Sequence, residues 1–220
     1  MSKRESFASG LTFRTLLTLI STSALLGVHC PRLPPRELYR IVLPAAFDSA
    51  STTDSSVVAA LPGTIGIAQY ATPGIYGDPA IVYRLNDTEY NAYATREWAL
   101  PLGDQLGVVT ERVLSRTPLT RERAVYDPPS RRSQTYIWRG TVREFEEVDR
   151  GSEVLAAVRI DVRIARAEDD SIVWSGTSRL ERAAQPSNMS GIVQTLSALA
   201  DEVVTDLATR ARRDLSTRKP

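Results

Sequence analysis

The sequence predicts an α+β fold: a two-layer sandwich in which two helices pack on one face of a mixed, mostly antiparallel sheet. Two stretches carry apolar residues at helical spacing, one in the middle of the chain and one near its end. Three consecutive stretches between them show the character of strands, and one alternates strictly, as a strand buried on one side does. With 220 residues, 42% of them hydrophobic, the chain is long enough for one domain and a leader.

Residues 1–29 are predicted to form an export signal. A basic start is followed by an apolar stretch, residues 16–28, which is too short and too rich in Ser and Thr to span a bilayer comfortably. The stretch ends at Cys30, the only cysteine, and this arrangement is typical of a lipoprotein signal. Gly27 and His29 stand where a lipobox usually has Leu and a small residue. Cys30 is the predicted lipid-attachment site, with simple cleavage or a retained anchor as alternatives.

The region between the leader and the first helix is predicted to hold a tether and three strands. Residues 30–37 form a Pro-rich tether that would hold the folded domain, predicted over residues 38–215, away from a membrane. Each strand is an apolar run between polar or Gly- and Pro-rich segments. The strands are predicted over residues 38–47, 64–70 and 80–85, with a polar loop over residues 49–56.

The first helix is predicted to begin at Pro101 and to stop before Pro118. Its apolar stripe repeats at steps of four, three and four residues, which places every member on one face. The stripe consists of Leu102, Leu106, Val109 and Val113. Strand-like aromatic residues precede the helix from Tyr90 onward and end at Trp98. We expect Trp98 to anchor the helix to the sheet, because its large apolar body gains most from burial. An exposed contact with a ligand or partner is the alternative.

A polar loop with one short strand leads into three strands joined by acidic hairpin turns. The short strand is predicted over residues 124–126, and the three longer strands over residues 136–145, 155–167 and 172–180. In the second of the three, apolar residues alternate with Arg159, Asp161 and Arg163. This charged row is expected to pair across strands with neighbours such as Arg143 and Glu144. A docking surface for another protein is the alternative.

The last strand and the last helix complete the predicted fold. Ile172, Trp174 and Leu180 are expected to share one face of that strand. The final helix is predicted over residues 190–213, and its apolar stripe is long enough to lie along the sheet. The stripe consists of Ile192, Leu196, Leu199, Val203, Leu207 and Ala211.

Composition and motifs exclude several function classes. One His and one Cys, adjacent in the leader region, leave no residues for a Cys/His zinc cluster, an internal disulfide or a Cys–His catalytic pair in the folded body. A net charge of +1 gives no sign of a surface for nucleic acid. The sequence contains no GxSxG elbow and no Gly-rich phosphate loop. We therefore expect no enzyme activity, no cofactor, no metal and no nucleic-acid partner.

Several segments together resemble a known family. The leader ending in Cys30 precedes a first strand that contains Tyr39. The run DPAIVYR follows at residues 78–84, and Tyr90 and Tyr93 lead into REWALPL at residues 96–102. In this order the segments resemble the ABC-type transport auxiliary lipoprotein family. Its members accompany MCE-type lipid transport systems.

The resemblance implies a non-enzymatic periplasmic accessory. Such a protein would be anchored in the outer membrane through Cys30, and Pro31 in place of Asp favours that membrane. It would dock with an MCE-domain protein and its ABC permease and ATPase, which carry phospholipid or other hydrophobic cargo. Self-association into a homo-oligomer stays open.

Other locations and functions are alternatives. The protein could be a soluble periplasmic protein if Cys30 is not acylated. It could be an outer-membrane lipoprotein that activates cell-wall synthesis or assists envelope assembly. An exported hydrolase is the least favoured reading, because no nucleophile with a matching base is evident in the sequence.

Overall fold

The computed structural model describes residues 34–42, 59–127 and 133–217, and the elements below all lie in the unit Arg36–Pro220. The first half contains β1 (Glu37–Tyr39), β2 (Ile65–Ile67), β3 (Ala80–Arg84), β4 (Tyr90–Trp98), α1 (Leu102–Arg116) and β5 (Val125–Tyr126). The second half contains β6 (Tyr136–Asp149), β7 (Val154–Arg166), β8 (Ile172–Ala183) and α2 (Met189–Thr217). A short 3-10 helix, Gly74–Gly77, precedes β3.

The sheet is organised around β6, which is 14 residues long. One side of β6 pairs with β7 along almost its whole length, and β7 pairs with β8, both antiparallel. The other side is shared by two short parallel strands: β2 pairs with the start of β6 and β3 with its end. Beyond β3 lie β4 and then β1, while β5 pairs with β2. The sheet is therefore mixed, with its long pairings antiparallel, as predicted.

Both helices pack on the same face of this sheet, which confirms the predicted two-layer α+β fold. Every second residue of β7, from Ala156 to Ile164, faces the helices, because side chains alternate across a strand. The stripes predicted for both helices are buried in this core. Trp98 is buried too, and its ring lies edge-on to Phe145 with 5.5 Å between centroids. It belongs to the same hydrophobic core as the apolar stripe of α1, so it is buried between the sheet and the helix layer and is not an exposed contact.

The Tyr70 side chain lies between β6 and α1, and its ring packs against a residue that has no side chain. A Cβ added to Gly140 of β6 would lie 2.0 Å from the Tyr70 ring. The Tyr70 hydroxyl is deeply buried, accepts a hydrogen bond from the Trp138 indole at 2.9 Å and lies 2.6 Å from the Thr110 hydroxyl. Burial raises the pKa of Tyr70 to about 12, against the lowering effect of these two bonds. The hydroxyl is thereby neutral and fully hydrogen-bonded inside the core.

Several predicted boundaries differ from the structure. The first strand was expected over residues 38–47, but β1 ends at Tyr39 and residues 40–42 leave the sheet. The rest of that run, from residue 43, lies outside the described residues, as does the loop predicted over 49–56. Residues 90–98, predicted only as a strand-like lead-in, form β4, which supplies one of the sheet's inner positions.

The last strand also differs in one detail. Trp174 lies on the helix-facing side, and Leu180 packs partly buried against the same core. Ile172 was expected to share their face, but it is exposed. The register between β7 and β8 shifts between Ile164 and Ala165, so the alternation that relates Trp174 and Leu180 does not extend to Ile172.

Candidate docking surface

The predicted lipid-attachment site, Cys30, and the export signal over residues 1–29 lie outside the described residues, and both stay predictions. Within residues 34–42, 59–127 and 133–217, no helix is long and apolar enough to cross a membrane. The same residues contain no group of three or more His, Cys, Asp or Glu side chains that could hold a metal ion.

The sheet face away from the helices carries a network of ion pairs across β6, β7 and β8. Arg143 donates to Asp161 at 2.7 Å, and Arg179 donates to Glu144 at 2.7 Å. Arg159 lies 3.9 Å from the same Glu144 carboxylate. The cross-strand pairing expected for this row is therefore present at Arg159 and Asp161. Because the arginines are about half exposed, such pairs contribute little to stability.

A second polar cluster is buried where β3 pairs with the end of β6. The Glu146 side chain is fully buried and accepts a hydrogen bond from the Arg84 guanidinium at 2.7 Å. The Tyr76 hydroxyl, on the 3-10 helix, donates to the other carboxylate oxygen. Burial raises the pKa of Glu146, and the bonds from Tyr76 and Arg84 oppose that shift. The cluster ties the 3-10 helix and β3 to β6 through one carboxylate.

The next residue of β6 repeats this arrangement on the other face of the sheet. Glu147 accepts a hydrogen bond of 2.7 Å from the Tyr93 hydroxyl, and the Arg96 guanidinium lies 4.6 Å above the Tyr93 ring. Burial raises the pKa of Glu147, and the bond from Tyr93 opposes the shift. Because each carboxylate is held by hydrogen bonds to its neighbours, both clusters are structural connections between strands.

The chain between β1 and residue 42 crosses from the sheet onto the helices. Residues 40–42, here called the crossing segment, have no strand partner, so side chains of the helices bind their backbone. Ile41 N–H donates to Oε1 of Gln105 at 2.6 Å, and Val42 N–H donates to Oγ of Ser197 at 3.1 Å. Gln105 and Ser197 are both buried. These hydrogen bonds take the place of the strand-to-strand hydrogen bonds that the backbone would make within the sheet.

A small apolar pocket lies between the crossing segment and α1. Its volume is about 170 Å³, and its lining is almost entirely apolar. Leu100, just before α1, and Val108, on the outer side of α1, contribute to it and are 60% and 53% exposed. Arg40 and Asp104 supply its charged groups. The arrangement offers an aliphatic surface with charges at its margin, which suits contact with another molecule.

Sequence reasoning did not find this pocket. Val108 falls off the apolar stripe of α1 and looks like one stray apolar residue on a polar face. Only the path of the crossing segment brings Ile41 beside it, and that path depends on buried Gln105, which the sequence presents as an ordinary polar helix residue. An exposed Val and Leu bracketing the first two turns of a helix is the one signal that the sequence did contain.

A family model matches the chain, and so do solved structures, of which two are described below. The model of a family described as "ABC-type transport auxiliary lipoprotein component" matches residues 46–208. Protein XCC0632 from Xanthomonas campestris is 18% identical with a TM-score of 0.63, over 82% of this chain and 100% of that chain. An uncharacterized protein is 17% identical with a TM-score of 0.61, over 80% of this chain and 99% of that chain. No curated protein matches the sequence. At these identities the two structures show a shared fold.

Proposed function

Because the chain belongs to the ABC-type transport auxiliary lipoprotein family, we propose that it is a periplasmic accessory of an MCE-associated lipid transport system. The observation that carries the proposal is the family match over residues 46–208, which runs from before β2 into the second half of α2. The family description identifies a lipoprotein, a membrane-anchored protein of the cell envelope, that accompanies ABC transport.

In this proposal, acylation of Cys30 holds the protein at the periplasmic face of the outer membrane. Each methylene that enters the bilayer contributes about 0.8 kcal/mol, so stable attachment needs more than one acyl chain. Between Cys30 and β1 lies the Pro-rich tether, which would let the folded body stand away from the membrane surface.

The folded body would act by contact and not by chemistry. The ATPase of the transport system would supply the energy, and an MCE-domain protein would carry the hydrophobic cargo. Two features support a contact role. The helix layer presents a pocket, and one wall of it is the crossing segment, whose backbone is hydrogen-bonded to Gln105 and Ser197. The buried carboxylates Glu146 and Glu147 are hydrogen-bonded to their neighbours.

Co-isolation from native membranes tests the proposed partner. A tagged full-length chain, expressed at its natural level, is extracted in mild detergent and its bound proteins are identified. We expect an MCE-domain protein together with an ABC permease and ATPase. The matched control is an unrelated tagged outer-membrane lipoprotein. Recovery of a cell-wall synthase in place of the transport proteins would overturn the proposal and favour activation of cell-wall synthesis.

Metabolic labelling with an alkyne palmitate analogue tests the anchor. The wild-type chain should take up the label and float with outer-membrane vesicles in a density gradient. The Cys30→Ser variant should take up none and stay in the soluble periplasmic fraction. Equal flotation of both proteins would show that membrane association does not depend on Cys30.

A further inference from the structure

We propose that the pocket between the crossing segment and α1 receives an amphipathic segment of a protein partner. That segment would insert one aliphatic or aromatic side chain and present a carboxylate to Arg40. The inference rests on the proposed function for the identity of the partner, the transport machinery, but not for the chemistry of the contact.

The size of the pocket favours a protein side chain over a lipid chain. An apolar cavity of about 150 Å³ in a protein core can bind a benzene ring. The pocket, of about 170 Å³, is similar in size and therefore holds a group of on the order of six carbon atoms. This volume matches a Leu, Met or Phe side chain. It could hold only a short part of the acyl chain of a membrane lipid.

The pocket is formed before anything binds. One wall is the crossing segment, whose backbone is held by Gln105 and Ser197 through Ile41 and Val42. Gln105 is held in turn, because its Nε2 donates to the Leu100 carbonyl oxygen at 2.9 Å. A site whose walls are already fixed loses little conformational entropy on binding, so even one inserted side chain can contribute usefully to affinity.

The charged groups at the margin of the pocket indicate the sign of the charge that the partner segment carries. Oδ1 of Asp104 accepts hydrogen bonds from the Gln69 side-chain amide at 2.7 Å and from the Tyr126 hydroxyl at 2.6 Å, so this oxygen is already engaged within the fold. Arg40 is exposed and makes no ion pair with any residue in the described part of the chain. A partner therefore meets an available cation beside an apolar cavity, and an acidic residue next to its apolar one complements both.

Site-specific photo-crosslinking in intact cells tests the inference. The crosslinking amino acid p-benzoylphenylalanine replaces Val108 in the full-length chain, and in a matched control it replaces Ile172, which is similarly exposed but lies on β8. We expect position 108 to give an adduct with one envelope protein and position 172 to give none. In the adduct, the crosslinked peptide should carry an acidic residue beside an apolar one. Arg40→Glu should reduce the yield on the order of tenfold, and a Lys in place of that acidic residue should restore it.

The same experiment would also detect the other molecules that could occupy the pocket, and each of these results would contradict the inference. An adduct with lipid alone, an adduct with a second copy of this chain, equal yields at both positions, or no adduct at position 108 would each overturn the inference. A protein adduct outside any ABC transport system would refute the proposed function while leaving the docking chemistry intact. Co-isolation of an MCE-domain protein with a silent position 108 would refute the pocket and leave the proposed function intact.

Discussion

Replacing the buried ion pair between Arg84 and Glu146 tests how the 3-10 helix and β3 are held to β6. The Glu146 side chain is fully buried and the Arg84 side chain is 11% exposed, with 2.7 Å between Nε and Oε1. Arg84→Met leaves a buried carboxylate whose remaining partner is Tyr76, and breaking one side of such a pair costs about 3–5 kcal/mol. We expect a loss of that size in the free energy of unfolding, measured by urea titration of purified protein.

The double variant Arg84→Met/Glu146→Met gives the sharper result. It removes both charges together, so no uncompensated charge stays buried, and replacement of a whole buried pair by apolar residues is often close to neutral. The Tyr76 hydroxyl then lacks its acceptor, which costs about 1–3 kcal/mol. The double variant should therefore be more stable than Arg84→Met alone, and adding Tyr76→Phe should recover part of the remaining loss.

The pH dependence of Arg84→Met follows from the pKa of Glu146. Burial already raises this pKa above its usual value of 4.5, and removing Arg84 removes one of the effects that lowers it. A carboxyl whose folded-state pKa is raised binds more protons in the folded state. Its stabilising contribution is complete below the unfolded-state pKa and is lost as pH rises through the folded-state pKa. The deficit of Arg84→Met relative to wild type should therefore shrink as pH falls from 7 towards 4.5. A deficit that stayed constant, or a double variant that lost the sum of both single losses, would refute this reasoning.

Three further substitutions test the packing and the surface. Trp98→Ala should lower the free energy of unfolding by about 3–5 kcal/mol in urea titration, whereas Leu100→Ala, at an exposed position two residues on, should change it by about 0.5 kcal/mol or less. Gly140→Ala should cost at least about 1–3 kcal/mol in the same titration, because its Cβ would overlap the Tyr70 ring; unchanged stability would contradict this packing. Arg143→Ala should cost less than about 1 kcal/mol, and that small loss should fade in high salt; a large, salt-independent loss would contradict a solvent-screened pair.

The parts of the fold that follow from local periodicity were predictable from the sequence. Both helices and the three long antiparallel strands each carry a repeat that depends only on neighbours in the chain. The strand β7 is the clearest case, because its apolar residues from Val158 to Ile164 alternate strictly with charged ones. The apolar residues are all buried.

The parts that depend on distant pairing were not predictable. The strand β4 lies between β1 and β3, and its mixed polar and aromatic sequence acquires strand character only through those two partners. Glu146 and Glu147 look like a solvated pair in the sequence, yet both are buried because Tyr76, Arg84 and Tyr93 reach them from other segments. No periodic pattern records such contacts, since each joins residues more than fifty positions apart.

The same limit applies to the candidate site. The resemblance that runs from Cys30 to the REWALPL segment led to the family, and the family model confirms it. The pocket itself depends on residues 40–42 leaving the sheet, and the sequence predicted that they would continue as a strand. Helix side chains that bind the backbone of a distant segment leave no signature in composition or spacing.

The central claim, that this lipoprotein assists lipid transport by contact, is tested most directly by measuring phospholipid transfer between the inner and outer membranes of living cells. Pulse-labelled phospholipid is followed in a strain lacking the protein, in the same strain with the wild-type chain restored, and with Cys30→Ser in its place. We expect transfer to fall without the protein, to recover with the wild-type chain, and to stay low with the variant. Transfer that proceeds at the same rate in all three strains would contradict the account.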